Sequence, residues 1–456
     1  MNEKYDVAVI GSGSAGGEAA LLVAEKGLKA ILIEKDAFGG TRFHRGCYAV
    51  RALRASSRIF RQIAQSGQFG IEAKLLRSSL VDWMKTQREA SARLAEDLRN
   101  DLQTLNVRIA KGTGRFVSEH QVRITDSFGT HQDVEAEYII LATGSRPDFL
   151  SSHNSRFYNS DDLIARVYPP AHLFIIGGGY IGCEFASIYR TLGCRVTLSE
   201  QGERLLPDWD PIVGELIREE LLANGVEVYL GNKIDIEKVP DRDGYPLFTK
   251  PDGTATSPDL VLVATGRRPN VESMGLEEIG VVTSPFIQVD SQLRTNKRHI
   301  FAIGDVNGLN MLDSGACAQA RIAVDVIMGG DSLFDARWVP RYLDTEPPAA
   351  AVGWMEADAI EAGLELDARL ELDSVRLITS EDRTIVEPSR TRVKLIVERH
   401  TKKVQGCVII GNGAAEVINL AALAIQSEVT PRDLERLFVV HPSVSVVLQR
   451  CATKFH

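Results

Sequence analysis

Near its start the chain carries a short apolar run, Asp6-Val7-Ala8-Val9-Ile10, that passes directly into Gly11-Ser12-Gly13-Ser14-Ala15-Gly16. A continuous apolar run of this length bounded by glycines predicts a strand buried on both faces. Glu18 to Lys26 then reads as a helix that stops at Gly27, the residue type a helix C-terminus favours. A second apolar strand, Ala30-Ile31-Leu32-Ile33, ends at Glu34. The same order returns later. Leu173-Phe174-Ile175-Ile176 leads into Gly177-Gly178-Gly179-Tyr180-Ile181-Gly182, a helix from Glu184 to Leu192 ends at Gly193, and Arg195-Val196-Thr197-Leu198-Ser199 closes on Glu200. Glu34 follows Gly11, and Glu200 follows Gly177, at one interval of 23 positions.

One glycine motif of this kind is weak evidence of a ligand. Two copies in full context, each with strand, helix and terminal acid, predict two dinucleotide-binding domains. The glycines permit a tight turn and let the backbone approach a pyrophosphate. The helix N-terminus offers free N–H groups and the positive end of its dipole, and the acid accepts hydrogen bonds from a ribose hydroxyl. Each half also carries a later strand ending in a like turn, Tyr138 to Pro147 and Leu260 to Pro269. A long helical stretch from about Ser79 to Leu105 reads as solvent-facing, and Asp161 to Pro170 as the link into the second domain. From Arg337 onward the pattern changes to strands at Val375–Ile378, Val393–Val397 and Val404–Ile410, with Lys402-Lys403 as a hairpin turn. Glu416–Gln426 and Pro431–Leu437 read as helices. The expected fold class is α/β: two Rossmann-like domains plus a C-terminal α+β dimerisation domain. The expected boundaries are 1–150 with 285–336, then 151–284, then 337–456.

Composition narrows the class of partner. The 456 residues carry 52 Lys and Arg against 61 Asp and Glu, a net charge of −9, so no basic footprint for nucleic acid is present. No run of 18 apolar residues exists, so no membrane span is expected. The six cysteines are scattered without a C-x-x-C, which argues against a disulfide scaffold or structural zinc and points to a reducing, cytoplasmic setting. The histidines show no metal-ligand spacing, so no metal is expected.

With the first glycine motif, Glu34 and Gly39-Gly40-Thr41 in order, the chain resembles the flavoprotein pyridine nucleotide–disulfide oxidoreductases, dihydrolipoamide dehydrogenase among them. Phe301-Ala302-Ile303-Gly304-Asp305, Thr345-Glu346-Pro347, Val352-Gly353 and His441-Pro442 extend the resemblance along essentially the whole chain. It implies FAD over Gly11, Gly13, Gly16 and Thr41, with the adenosine ribose at Glu34. Asp305 would hold the ribityl chain, and Thr143, Gly144 and Ser145 would border the adenine side. A helix beginning near Met311, Leu312, Asp313 and Ser314 would aim its N-terminus at the flavin pyrimidine, with Asp313 or Ser314 as its cap. NAD(H) would lie at Gly177, Gly179, Tyr180, Ile181, Gly182 and Glu200, with Gly266 nearby. A carboxylate at Glu200 repels a 2′-phosphate and so favours NADH. A homodimer is implied.

The chain departs from the family at its redox segment. Where the family reads G-G-T-C-x-N-x-G-C-x-P-S-K, this sequence has Arg42 at the first cysteine, Cys47 at the second and Arg51 at the lysine; Glu184 matches the acid that pairs with that lysine. His441 matches the family's C-terminal histidine, but Val446 stands where its orienting glutamate would be. Disulfide exchange needs an attacking thiolate and a resolving thiol, and Arg42 supplies neither. The expected activity is therefore an FAD-dependent NADH oxidoreductase. Four exits for the electrons stay open: direct transfer to a quinone, dye or second nicotinamide; Cys47 acting alone; Cys47 pairing with Cys317 or with a partner subunit's Cys451; and dihydrolipoamide by an atypical route. A catalytically reduced flavoprotein sensor or assembly partner is the rival from another class. Arg42, Arg45, Arg51 and Arg54 around Cys47 suit either an anionic acceptor or a set of ordinary ion pairs. Cys183, Cys194 and Cys407 read as small core residues.

Overall fold

A computed structural model describes residues 3–74, 79–149, 156–166, 168–372, 376–380, 383–387, 391–441 and 443–455. Val375 of the expected third-domain strand and Pro442 of the His-Pro pair lie outside these residues. The chain divides into two compact units: residues 1–53, 80–149 and 266–336 form one, and residues 54–79, 150–265 and 337–456 form the other.

The first unit is built on a sheet whose strands run Arg108–Lys111, Ala30–Glu34, Glu3–Ile10, His131–Leu141, Gln121–Thr125 and Thr113–Ser118 in spatial order. Ile300–Ala302 adds to the far end of His131–Leu141 in parallel, Ile300 opposite Ile139. The apolar run 7–10 lies between two parallel neighbours, Val7 beside Ala30 and Tyr138, Ile10 beside Ile33 and Leu141. That position explains why it lacks alternation: both faces are covered. On one face the helices Ser14–Glu25 and Asp313–Ile327 pack through Ala15, Ala19, Ala20, Ala316, Ala320 and Ala323 against Val7, Val9 and Leu32. These small side chains let the two helices approach closely. The other face is sealed by Phe116, Val122, Ile124, Met274 and Leu276. Full burial of one Val or Leu here is worth about 1.5–3 kcal/mol.

The helix Leu80–Thr104 is the long one expected between the first motif and its return strand. It is not wholly solvent-facing. Met84, Gln87, Ser91, Ala95 and Leu102 are buried, at helical spacing.

In the second unit one sheet is wholly parallel, ordered Glu227–Tyr229, Arg195–Ser199, His172–Ile176, Leu260–Val263 and Phe157–Tyr158. The segment expected to be a mere link forms part of this body. Asn159 and Asp162 close a reciprocal capping box on the helix Ser160–Ala165, which packs on the strands Phe157–Tyr158 and Leu260–Val263. An antiparallel sheet follows, ordered Arg341–Leu343, Ala349–Gly353, Val404–Ile410, Arg392–Glu398 and Leu366–Leu372. Its hairpin turns at Lys402, which takes φ +60°. The helices Ala414–Gln426 and Val444–Ala452 cover it through Val417, Ile418, Ala421, Val447 and Leu448.

His172 gives the second unit a measurable pH signature. It is buried, with Nε2 3.0 Å from Thr197 Oγ1. Burial, with Arg195 nearby, lowers its pKa to about 4. Unfolding returns it to an ordinary value of about 6.5, so the unfolded chain binds the proton more readily. Its contribution is therefore full above about pH 6.5 and is lost as pH falls toward 4. Denaturation midpoints taken from pH 7 to 4 should show a shallower decline in His172→Gln than in the wild type; parallel curves would refute this.

Candidate active site

The two glycine turns are near-copies in space. Gly11 and Gly177 take φ +103° and +110°, and each donates its N–H to the end of the neighbouring strand, Gly11 to Ile33 O at 2.8 Å and Gly177 to Ser199 O at 2.8 Å. A Cβ on Gly16 would be driven into the Gly11 carbonyl, and one on Gly182 into the Gly177 carbonyl. First and last glycines are thus demanded by the chain itself. The middle ones are not: a Cβ on Gly13 or Gly179 would meet nothing within 4 Å. Both middle glycines are N-cap residues without a side-chain cap, on the helices Ser14–Glu25 and Tyr180–Thr191. The first N–H groups of each helix therefore face open space, as anion binding requires.

The terminal acids are fixed beside these turns. Glu34 accepts from Ser12 N at 2.8 Å, Ser12 Oγ at 2.6 Å and Asp36 N at 2.7 Å. Glu200 accepts from Gly178 N at 2.6 Å and Gly202 N at 2.7 Å. Both are buried. Open space, orphan donors and an anchored carboxylate fit the pyrophosphate and ribose of a dinucleotide at each turn. Tyr180 and Ile181 form the first turn of the second helix, and the Tyr180 ring lies 5.3 Å from Trp209.

In the first unit Thr143, Gly144, Ser145 and Asp305 come together. Ser145 Oγ donates to Asp305 Oδ2 at 2.5 Å. Two residues not foreseen from sequence hold this group. Arg267 donates to Ser145 Oγ at 2.7 Å and to its carbonyl at 2.9 Å, and Asn270 donates to the carbonyls of Thr143 and Gly144 at 2.8 and 2.9 Å. Burial pushes the Asp305 carboxyl above its usual range, against the pull of Ser145 and Arg267. The signal was present as the paired turns 145–147 and 267–269, which form a small antiparallel sheet, but their pairing is not encoded locally. Gly266 belongs to this unit, its carbonyl accepting from Asp148 N at 3.0 Å.

The redox segment begins at Gly39, with φ +89°, and passes through the short helix Gly40–His44. The Thr41 carbonyl accepts from Arg45 N at 3.0 Å. Cys47 is exposed and opens the helix Cys47–Gln65, on which Arg51 is also exposed. Arg42 Nε lies 3.3 Å from Asp313 Oδ1, and its guanidinium sits over the Phe43 and Tyr48 rings at 5.4 and 5.5 Å. Ser14 Oγ donates to the same Asp313 oxygen. Asp313 and Ser314 are not the cap of their helix; Leu312, whose side chain has no polar atom, holds that position, and the Asp313 carboxylate in the first turn is engaged by Ser14 and Arg42. Met311 and Leu312 are half-buried.

The arginine cluster is mostly neutralised internally. Arg42 pairs with Asp313, Arg45 with Asp36 at 3.0 Å, and Arg54, buried, bonds Ser187 at 3.1 Å and Glu346 at 3.3 Å. Three of the four arginines around Cys47 are thus engaged in ion pairs. In the second unit Glu184 Oε1 accepts from Asp344 N at 2.8 Å.

None of the six cysteines is in a disulfide. Cys451 cannot reach out to a partner subunit's Cys47. It is buried in its own sheet–helix core, 3.2 Å from Arg369 O and 3.5 Å from Val393 O, and burial pushes its thiol up to about 11. Cys317 is half-buried, its Sγ 4.0 Å from Ser14 O, and burial pushes it up to about 11 as well. No disulfide joins it to Cys47. Cys183, Cys194 and Cys407 are core residues. His441 is exposed, and Val446 lies in the helix Val444–Ala452. Among the described residues no group of three or more His, Cys, Asp or Glu could hold a metal, and no helix is long and apolar enough to cross a membrane.

Comparison with known proteins agrees with this geometry. Residues 5–325 match the family described as pyridine nucleotide-disulphide oxidoreductase, and residues 339–451 match its dimerisation domain. A dihydrolipoyl dehydrogenase of Chlamydia muridarum is 32% identical over 98% of this chain and 96% of that protein. One from Bacillus subtilis is 30% identical over 97% and 96%. A glutathione reductase of Burkholderia cepacia is 30% identical over 97% of each. Among solved structures, LpdA from Mycobacterium tuberculosis shares the fold with a TM-score of 0.88, at 24% identity over the full length of both chains.

The glycines give a paired test. Gly13→Ala should leave the melting temperature of the flavin-free protein unchanged, since its φ of −66° suits alanine, but weaken FAD on the order of tenfold by filling the open side of the turn. Gly16→Ala should lower the melting temperature as well. Flavin absorbance per chain and thermal melts separate the two; full flavin retention in Gly13→Ala would count against the placement.

Proposed function

The chain belongs to the pyridine nucleotide-disulphide oxidoreductase family, and from that premise we propose that it passes electrons from NADH through FAD to an acceptor that is not a disulfide. The family consists of FAD-dependent pyridine nucleotide oxidoreductases and carries a dimerisation domain, which fits a homodimer. One observation carries the reading of the acceptor. The position of the attacking thiol is occupied by Arg42, which is tied to Asp313.

FAD, when bound, would supply two-electron redox chemistry between NADH and the acceptor. The chain's own part is to hold the two nucleotides and set the charges around them. The N–H groups opening Ser14–Glu25 and Tyr180–Thr191 would take the two pyrophosphates, with Glu34 and Glu200 fixing the riboses. Glu200 would also exclude NADPH, because its carboxylate opposes a 2′-phosphate. The relay from Arg267 through Ser145 would hold Asp305 against the ribityl chain. Arg51 and Glu184 correspond to the basic and acidic residues that the family sets beside the hydride-accepting nitrogen. His441, without a carboxylate at Val446, lacks the partner that would orient it for proton shuttling from a dithiol.

The favoured acceptor is a quinone or dye, or a second nicotinamide, with oxygen species next. For a quinone the balance is NADH, one proton and quinone going to NAD⁺ and quinol. The relatives named dihydrolipoyl dehydrogenase support the rival, dihydrolipoamide turnover by an atypical route.

Anaerobic NADH should bleach the flavin without the long-wavelength thiolate–flavin band that a dithiol enzyme shows at two-electron reduction. Steady-state oxidation of NADH should proceed with quinones or dyes and fail with lipoamide. Cys47→Ser should leave dye reduction unchanged. Lipoamide turnover by the wild type would sink the proposed acceptor class.

A further inference from the structure

Asp313 lies at an unusual meeting point in the first unit. It sits in the first turn of the helix Asp313–Ile327, and its Oδ1 accepts from Ser14, the first residue of the helix Ser14–Glu25. The alanine seam 15, 19, 316, 320 keeps these two helices together. One carboxylate therefore stands at the positive ends of two helix dipoles, each of which favours a negative charge there. The same charge also weakens the positive field that Asp313–Ile327 presents beyond its N-terminus. Arg42 restores it. Its guanidinium lies 3.3 Å from Asp313 Oδ1, and the side chains of the pair are 26% and 29% exposed, so solvent screens the couple only in part. Burial works to lower the arginine's pKa, but Asp313 and Tyr48 outweigh it and the group stays charged. The Phe43 and Tyr48 rings hold it in place.

We infer that Arg42 is the counter-charge of Asp313, and that this couple sets the reduction potential of FAD bound to the first unit. The inference rests on the FAD site proposed above. Uptake of two electrons and one proton leaves the flavin ring with one added negative charge. A cation nearby favours that state and an unpaired carboxylate opposes it. Arg42 is then a potential-setting residue in its own right, as well as the group that closes the dithiol route.

Purified holoprotein provides the test. Bound FAD is equilibrated anaerobically with a reference dye, using dithionite so that NADH plays no part, and the ratio of reduced to oxidised flavin is read for each variant alongside its melting temperature. Arg42→Met should lower the ratio on the order of tenfold. Asp313→Asn should raise it, the double variant should return close to wild type, and Arg42→Lys should stay near wild type. Single variants that shift the ratio in one common direction, or that melt earlier with the ratio unmoved, would reduce the couple to a structural brace and overturn the inference. Should Arg42→Met fail to fold, Asp313→Asn and Arg42→Lys decide alone: a ratio not raised in the first, or lowered in the second, overturns it. Lipoamide turnover by the wild type would remove the proposed acceptor while leaving these shifts in place, so the two failures are distinguishable.

Discussion

The close backbone approach inside each glycine turn is the constraint on which the rest depends. Gly16 lies against the Gly11 carbonyl, and Gly182 against that of Gly177, with no room for a Cβ. Because these pairs touch, a helix can start directly at the end of a buried strand, and its uncapped N–H groups come to stand over the sheet edge. The anchored acids follow from the same geometry: the strands Ala30–Glu34 and Arg195–Ser199 run beside the first strands in parallel and deliver Glu34 and Glu200 to the amides of residues 12 and 178. A side chain at position 16 or 182 would displace helix, donors and acid together.

That constraint also explains how Arg42 and Asp313 come to meet. Ser14–Glu25 must begin at the glycine turn, and the alanine seam then brings Asp313–Ile327 alongside it. A carboxylate at the start of the second helix is thereby within reach of a hydroxyl at the start of the first. The guanidinium completes the set from the redox segment. One residue, Arg42, thus stands where the family has a nucleophile and brings a charge to Asp313.

What could be read in the sequence was whatever is encoded locally or by repetition. The duplicated strand–glycine–helix–strand–acid order made both glycine turns and their terminal acids legible, since turn chemistry and strand burial are local properties. The identities of Arg42, Cys47 and Val446 were equally plain. Partners distant in sequence were not legible. Arg42 and Asp313 are far apart in the chain, as are Ser145 and Arg267, and only the packing of whole elements brings them together. For the same reason Asp313 looked like a helix cap, the partners of the arginines around Cys47 stayed open, and Cys451 looked able to approach from a partner subunit, when a buried sheet–helix contact holds it. The helix 160–165 looked like linker because it is short, and its capping box and its place beside the second sheet are what make it part of that body.

Electron flow through such a molecule is governed by two separable quantities, whether a route exists and which way it runs. In the proposed reading the arginine at position 42 bears on the first, because a guanidinium cannot form the mixed disulfide that an attacking thiolate at that position would form. On the inference drawn above, the charge at position 42 bears on the second only through Asp313: the guanidinium offsets a carboxylate that would otherwise oppose a reduced flavin. The proposed acceptor class therefore rests on the bond that the residue at position 42 cannot make, and the couple decides how far the neighbouring carboxylate is kept from resisting electron uptake.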